Sequence, residues 1–330
     1  MNATSEPLLS IRDMHVLFPG SSGPVEAICG VDLTVERGKV LGIVGESGSG
    51  KSVTMMAVMR LLAPSATITG SVRYNGRELI GMPAAEMRKL RGADIGMIFQ
   101  DPLTAFNPVV TISEQIVEAL RLHDATLSHR AARARAVELL DLVTIPQPDR
   151  RAGQYPHEFS GGMRQRAMIA MAICNNPKLL IADEPTTALD VTVQAQILDV
   201  LNRLREDLGI GLILITHDLG VVAGAADEIA VMYSGRIVEQ GKVDDVFYGS
   251  RHPYTRGLLA SLPKLDDSSA PLTPIEGTPP SIGNRPTGCA FRPRCASAFA
   301  RCAVETPVLK PAASVLSACH LSEQLEALPA

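Results

Sequence analysis

One stretch of the sequence has the residue types and spacing of a phosphate-binding loop. The octapeptide GESGSGKS at 45–52 matches the pattern G-x-x-x-x-G-K-[ST], between the strand-like VLGIV and the helix-forming VTMMAVMRLL. Glycines let backbone N–H groups converge on phosphate oxygens, and the following helix adds the positive end of its dipole. We therefore expect Lys51 to reach the terminal phosphates and the Ser52 hydroxyl to bind Mg²⁺. A glycine-rich turn without a ligand is the alternative.

Two adjacent carboxylates follow a second apolar run. LLIADE ends in Asp183 and Glu184, at the tip of a predicted buried strand. Asp183 is expected to hold Mg²⁺ through water, and Glu184 to orient or deprotonate the attacking water. The alternative is an acidic loop that is merely exposed.

Two further strand-like segments also end in polar residues. Gln100 closes IGMIFQ and His217 closes GLILITH. The Gln100 amide could contribute to Mg²⁺ or to the attacking water, and His217 could sense the terminal phosphate. A purely structural role is the alternative for each.

A second anion site is predicted more than a hundred residues after the first. In FSGGMRQRAMIA, Ser160 offers a hydroxyl, and Gly161 and Gly162 allow close backbone approach. The helix expected from Met163 onward would direct its dipole at a γ-phosphate. A capped internal helix is the alternative.

The remaining pattern predicts an α/β fold. The runs LGIVG, IGMIFQ, LLIAD, GLILITH and EIAVMY are strand-like, with helical segments between them. LLSIRDMHVLF, AICGVDLTVERG and GSVRYNGREL alternate apolar and polar residues, which predicts an antiparallel sheet beside the main one. A capping box at Thr111 begins a helical insertion, and the composition turns to Pro, Ser and Gly at 266–288, as in a linker.

Composition narrows the class of protein. The chain has 330 residues, of which 46% are hydrophobic and 20% charged, as in a globular protein. No apolar run approaches a membrane span of roughly 18–20 residues, and the N-terminus lacks the pattern of a signal peptide, so we expect a cytoplasmic protein. A net charge of −4 gives no basic footprint, so no nucleic-acid partner is expected.

Four cysteines crowd into the last 42 residues, at Cys289, Cys295, Cys302 and Cys319. A reducing cytosol argues against disulfides, which leaves thiolate ligation of a metal or idle thiols. Four thiolates suit Zn²⁺ or an iron–sulfur cluster. The close C-x2-4-C pairs usual in structural zinc sites are not present in the sequence.

The order of these motifs resembles the nucleotide-binding domain of ABC transporters over roughly residues 8–250. The resemblance implies that SGGMR serves ATP held by the phosphate loop of a partner subunit in a head-to-tail dimer. It also implies that Asp190 of TTALD lies in a loop that crosses this dimer, and that Phe18 stacks on adenine. The residues then assigned to ATP are Phe18, Gly45, Glu46, Ser47, Gly48, Ser49, Gly50, Lys51, Ser52 and Asp183. Those assigned to the partner's ATP are Ser160, Gly161, Gly162, Met163 and Asp190, and those assigned to catalysis are Gln100, Glu184 and His217.

FSGGMRQR, GMIFQDPLTAFNP, RHPYTRGLLASLP and the cysteine tail together resemble the D-type ATPase of dipeptide, oligopeptide and nickel importers. This resemblance implies a peripheral subunit on the cytoplasmic face of the cell membrane that hydrolyses ATP to power peptide import. It implies a second, different ATPase, two transmembrane permeases and an external binding protein as partners, and a [4Fe–4S] cluster on the four cysteines, with Zn²⁺ as the alternative.

The same resemblance divides the chain into a nucleotide-binding domain at 1–250, with a helical subdomain at about 105–175, and a C-terminal extension at 251–330. Import of nickel or another small ligand remains an alternative function. A non-transport ABC ATPase of DNA repair or ribosomes, and a regulatory iron–sulfur protein for which ATP is only a ligand, are more distant ones.

Overall fold

A computed structural model describes residues 6–21, 23–187, 189–262, 274–322 and 324. Its strands are β1 Leu9–Phe18, β2 Val25–Val35, β3 Val40–Val44, β4 Thr67–Tyr74, β5 Arg77–Glu78, β6 Ile95–Ile98, β7 Leu179–Asp183, β8 Gly211–Thr216, β9 Glu228–Tyr233, β10 Arg236–Lys242, β11 Lys310–Ala312 and β12 Val315–Ser317. Its α-helices are α1 Lys51–Val58, α2 Ala84–Leu90, α3 Pro102–Ala105, α4 Ile112–His123, α5 His129–Leu142, α6 Pro148–Arg151, α7 Gly161–Ile173, α8 Val191–Leu208, α9 Leu219–Ala223, α10 Val243–Gly249, α11 Pro253–Ala260 and α12 Ala300–Val304.

The chain forms two compact units. The first comprises 1–35, 40–80 and 214–330, and the second comprises 36–39 and 81–213. In the parts of the chain that the structure describes, no helix is both long and apolar enough to cross a membrane.

The first unit contains the predicted antiparallel sheet, in the order β2-β1-β4-β5. Ile11 of β1 pairs with Leu33 of β2 on one side and with Val72 of β4 on the other, and all three are buried. Buried and more exposed side chains alternate from Leu9 to Arg12 and again from Met14 to Leu17, with a shift in register between Ile11 and Met14.

A second set of strands in this unit runs in the order β11-β12-β10-β9-β3. β3 and β9 are parallel, whereas β9, β10, β12 and β11 are antiparallel neighbours. The C-terminal extension and β3 share one core, in which Val44 lies in the same buried cluster as Tyr233, Tyr254, Phe291 and Val315. The C-terminal extension is thus packed on the strand that leads into the phosphate loop.

In the second unit, β6 and β7 are parallel neighbours, with Ile95 opposite Leu179 and Ile98 opposite Ala182. The chain between them forms the helices α3 to α7. Thr111 caps α4 as expected, because its hydroxyl accepts from the Glu114 N–H at 3.5 Å, while the Glu114 carboxylate contacts His129 at 3.0 Å.

The predicted fold class is confirmed: an α/β core with an antiparallel sheet, a helical region and a small cysteine-containing C-terminal part. The boundaries at 105–175 and at 250 stay predictions. Of the predicted linker, residues 266–273 lie outside the described residues, and 274–288 carry neither helix nor strand.

Candidate active site

The phosphate loop connects β3 to α1 in the first unit. Val44 ends the strand, and Lys51 begins the helix after an N-cap at Gly50. The Lys51 ammonium donates to the carbonyls of Gly45 at 2.7 Å and Glu46 at 3.1 Å, so it folds back over the loop. The N-terminus of α1 carries the positive end of the helix dipole. The loop can therefore receive an anion.

Two glycines are required for this conformation. Gly45 has a φ of 154°, and a Cβ there would lie 2.2 Å from the Met232 carbonyl oxygen. Gly50 has a φ of 107°, and a Cβ there would lie 2.7 Å from Ile28. A side chain at Gly45 would collide with backbone, and the positive φ at Gly50 disfavours any residue with a side chain, so the loop's shape depends on the residues that the motif specifies.

Phe18 and His217 also belong to the first unit. Phe18 ends β1, paired with Val25 and half-buried, and His217 directly follows β8 with its side chain exposed. Their assignments to adenine and to the terminal phosphate remain predictions.

The second unit brings Gln100 and Glu184 together. Because β6 and β7 are parallel neighbours, the residues that follow them lie at the same edge. The Gln100 amide donates to Glu184 Oε2 at 3.0 Å. Glu184 has a φ of 48°, which is unusual for a residue with a side chain and is found preferentially at functional sites. Asp183, one residue earlier, is buried at 3% exposure.

Sequence reasoning did not single out Thr187, which completes this arrangement. Its hydroxyl donates to the same Glu184 oxygen at 2.8 Å, and its N–H donates to the Glu184 carbonyl at 3.2 Å. The signal was present in the sequence, since a hydroxyl residue three positions after an acid at a strand end can close a turn onto it. Glu184 thus receives two hydrogen bonds on one carboxylate oxygen, which orient the carboxylate.

The second predicted anion site is the start of α7. Ser160 is its N-cap, and the Ser160 hydroxyl accepts from the Met163 N–H at 3.4 Å. A Cβ on Gly162 would lie 2.8 Å from a Val193 methyl carbon, so Gly162 allows α7 to approach α8 closely. Asp190 caps α8 by accepting from the Val193 N–H at 2.9 Å. The predicted SGGM and Asp190 residues therefore occupy two adjacent helix starts, of which the first can face an anion.

The four cysteines of the extension line one small cavity in the first unit, together with Phe291 and His320. The Cys289 N–H donates to the Cys302 carbonyl at 2.8 Å, and Gly288 permits this approach, because a Cβ there would lie 2.4 Å from the same oxygen. Burial raises the pKa of Cys319 to about 11 and also raises those of Cys289 and Cys295, with neighbouring thiols adding to the effect.

No disulfide joins these thiols. Within the described ranges, no group of three or more His, Cys, Asp or Glu is arranged so that it could hold a metal ion. The structure therefore brings the four predicted cysteines around one cavity, and the presence of a metal there has no support from ligand geometry.

Comparison with known proteins identifies two matching regions. Residues 28–187 match the family described as ABC transporter, and residues 238–302 match the family described as oligopeptide/dipeptide transporter, C-terminal region. The chain is 53% identical over 295 residues to the oligopeptide transport ATP-binding protein OppD of Bacillus subtilis, covering 88% of this chain and 82% of the relative. It is 48% identical over 318 residues to OppD of Haemophilus influenzae, covering 96% and 98%.

Among solved structures, the dimeric structure of MJ0796, a bacterial ABC transporter cassette, matches with a TM-score of 0.65 and 28% identity, covering 71% of this chain and 98% of the other. A dimeric structure of a post-hydrolysis state of MJ0796, bound to ADP and Pi, matches with the same values.

The predicted set of partners is corrected by these comparisons. It required a second, different ATPase, two permeases and an external binding protein. Both relatives are named as oligopeptide transport ATP-binding proteins, and the matching solved structure is described as a dimer of MJ0796. The prediction that a different ATPase must complete the assembly is wrong, because it was carried over from the family pattern without any residue of this chain that selects such a partner.

Proposed function

The chain belongs to the ABC transporter family, and we propose that it is the subunit that binds and hydrolyses ATP to power an importer of dipeptides and oligopeptides. One observation carries the proposal: the similarity to peptide-transport ATP-binding proteins extends through the cassette into the C-terminal region at 238–302. Both relatives are named for oligopeptides, which favours peptide over nickel as the transported ligand.

We assign the phosphates of ATP to the loop at 45–52. On binding, the Lys51 ammonium exchanges the carbonyls of Gly45 and Glu46 for phosphate oxygens. Mg²⁺ would neutralise phosphate charge. The Ser52 hydroxyl and the Gln100 side chain would bind the ion and Asp183 would hold it through water, since such hard oxygen donors suit this ion.

Hydrolysis is assigned to Glu184. Its carboxylate orients a water molecule and accepts its proton as the water oxygen attacks the γ-phosphorus. The bond from that phosphorus to the bridging oxygen breaks, which leaves ADP and inorganic phosphate. The hydrogen bonds from Gln100 and Thr187 to one Glu184 oxygen support this role, because they hold the carboxylate in one orientation. His217 is proposed to contact the terminal phosphate, and Phe18 the adenine.

The start of α7 is assigned to ATP held by a second cassette. Ser160, Gly161, Gly162 and Met163 offer a hydroxyl and a helix N-terminus to a γ-phosphate, with Asp190 in the same interface. The description of MJ0796 as a dimer supports an arrangement in which two cassettes meet. Location at the cytoplasmic face of the membrane is part of the same proposal.

We further propose a [4Fe–4S] cluster on Cys289, Cys295, Cys302 and Cys319. Such a cluster binds one thiolate at each iron, so its ligands surround a volume instead of a single ion. The lining of one cavity by all four thiols supports this donor set. When bound, the cluster would stabilise the fold of the extension.

Anaerobic purification followed by assays of iron, sulfide and zinc tests the cluster. Iron and acid-labile sulfide in equal amounts are expected, and both should be lost in Cys302→Ser but kept in Cys29→Ser, which changes a buried thiol outside this cavity. Zinc in place of iron, or neither metal, would contradict the cluster.

Uptake tests the transport function. In cells that lack their own copy of this chain, a labelled dipeptide should enter when the wild type is supplied and not when Lys51→Ala is supplied at equal expression. Labelled nickel should enter equally in both. Unchanged dipeptide uptake with Lys51→Ala would refute the peptide importer, and loss of nickel uptake would establish the alternative ligand.

A further inference from the structure

The phosphate loop is held from outside by the C-terminal part of the first unit. Glu46, the second residue of the loop, receives two hydrogen bonds on its carboxylate from Arg294, at 2.6 and 2.9 Å. Its backbone N–H donates to the Tyr254 hydroxyl at 2.9 Å. Both the side chain and the backbone of Glu46 are therefore fixed by residues more than two hundred positions later in the chain.

Arg294 is itself fixed in this position. Its side chain is 4% exposed, Nε donates to the Glu276 carbonyl at 2.9 Å, and Nη2 donates to the Ile275 carbonyl at 3.2 Å. The guanidinium also lies 5.9 Å from the ring centre of Phe291. Because the planar guanidinium group is already held by these contacts, it loses little further conformational freedom when it donates two hydrogen bonds to a carboxylate.

Tyr254 is equally constrained. Its ring is fully buried, with the ring centres of Tyr233 at 4.6 Å and Phe291 at 5.4 Å. Tilted ring pairs at these distances attract one another beyond the effect of their buried area, which holds the Tyr254 ring in place. The Tyr254 hydroxyl, which accepts from the Glu46 N–H, is therefore held in place by the core that the extension shares with β3.

Glu46 in turn holds the Lys51 ammonium, which donates to its carbonyl at 3.1 Å. The orientation of this peptide therefore sets the path that Lys51 follows to a phosphate. A carboxylate in a phosphate-binding loop also repels the ligand, unless a cation neutralises it. Arg294 meets both requirements, because it orients Glu46 and cancels its charge.

We propose that Arg294 is a positioning residue for ATP binding, which acts through Glu46 to preorganise and neutralise the phosphate loop. The inference rests on the proposed binding of ATP by this loop. Preorganisation lowers the ordering cost of binding, so its loss raises the dissociation constant for ATP while the turnover number at saturating ATP is kept.

The full-length chain serves for the test, with ATP affinity from isothermal titration calorimetry and KM and kcat from phosphate release. Arg294→Ala should raise Kd and KM by about tenfold and change kcat by less than about twofold. Adding Glu46→Gln to Arg294→Ala should recover part of the affinity, because it removes the uncompensated charge. The ATP affinity of Arg294→Lys should lie between those of the wild type and Arg294→Ala, because lysine keeps the charge and loses the second hydrogen bond.

The matched control is Arg301→Ala. Arg301 lies in the same extension and contacts Glu305 with two hydrogen bonds at 2.7 Å, but both side chains are more than half exposed. Equal ATP affinity in Arg301→Ala and Arg294→Ala would overturn the inference, as would a double variant that binds no better than Arg294→Ala.

A wild-type chain that does not bind ATP would instead remove the proposed function itself. If Arg294→Ala does not fold, Arg294→Lys decides: reduced affinity with unchanged kcat supports the positioning role, and wild-type affinity overturns it.

Discussion

The Gln100 amide nitrogen lies 3.0 Å from Glu184 Oε2, across the ends of two adjacent parallel strands. The same oxygen receives the Thr187 hydroxyl at 2.8 Å. Glu184 keeps a left-handed backbone conformation with a φ of 48°. Two neutral donors on one oxygen hold the carboxylate in a defined orientation, as a general base requires.

We expect Glu184→Gln to lower ATP turnover by at least about a hundredfold, because an amide cannot accept the proton of the attacking water. ATP binding should persist, since the amide has nearly the same size and no charge to repel phosphate. Phosphate release and equilibrium ATP binding measure the two effects. The control is Glu206→Gln, the same exchange at an exposed glutamate of α8. Turnover by Glu184→Gln equal to that of Glu206→Gln would remove Glu184 from catalysis.

Ser160→Asp separates capping from anion binding at α7. Aspartate is as good an N-cap as serine, so the melting temperature should remain near that of the wild type. Its negative charge at the start of α7 should repel the γ-phosphate and abolish ATPase activity. Ser128→Asp makes the same exchange at the N-cap of α5, where Ser128 accepts from the Ala131 N–H at 3.2 Å. Full activity in Ser160→Asp, or equal loss in Ser128→Asp, would contradict the assignment.

The effect of Gly162→Ala on the free energy of unfolding should change sign when Val193 is also replaced by alanine. In the wild type the new methyl group would lie 2.8 Å from a Val193 methyl carbon, so we expect the free energy of unfolding to fall by about 1–3 kcal/mol. In a Val193→Ala background the collision is removed, and the better helix propensity of alanine should add up to about 1 kcal/mol. Urea unfolding of the four proteins measures both values, and an equal loss in both backgrounds would exclude this contact as the cause.

His252 should make the fold less stable in acid. It is 2% exposed, its Nδ1 accepts from the Tyr254 N–H at 3.1 Å, and burial lowers its pKa to about 3 from an ordinary value of 6.5. As the pH falls from 6.5 towards 3, the unfolded chain binds a proton that the folded chain does not, so the free energy of unfolding decreases.

His252→Asn keeps a cap acceptor and removes the titrating group, so its stability should fall less between pH 7 and pH 5. The neighbouring Glu239, whose pKa is raised by burial, changes stability in the opposite direction in both proteins. The difference in urea unfolding between wild type and His252→Asn at the two pH values therefore isolates His252. Identical pH dependence in the two proteins would rule out its titration.

The local features of this protein are determined by the sequence alone. Strand, glycine loop and helix follow one another within a few residues at 40–58, and the short-range rules for apolar runs and caps act at that scale. The fold class, a helix after Ser160 and the cap at Thr111 could be predicted for this reason, although the helix begins at Gly161 and not at Met163. Gln100 and Glu184 could each be singled out because each follows a strand-like run, and the structure shows that they meet.

Only the tertiary structure decided which distant residues support these motifs. Glu46 and Arg294 are 248 positions apart, and the spacing at either residue indicates nothing about the other. Their contact depends on the packing of Phe291, Tyr233 and Tyr254 in a common core. Likewise, position 162 favours glycine because a methyl group of Val193, on another helix, leaves little room for a side chain there. Such pairings follow from how elements pack, which is a property of the whole core and not of any segment.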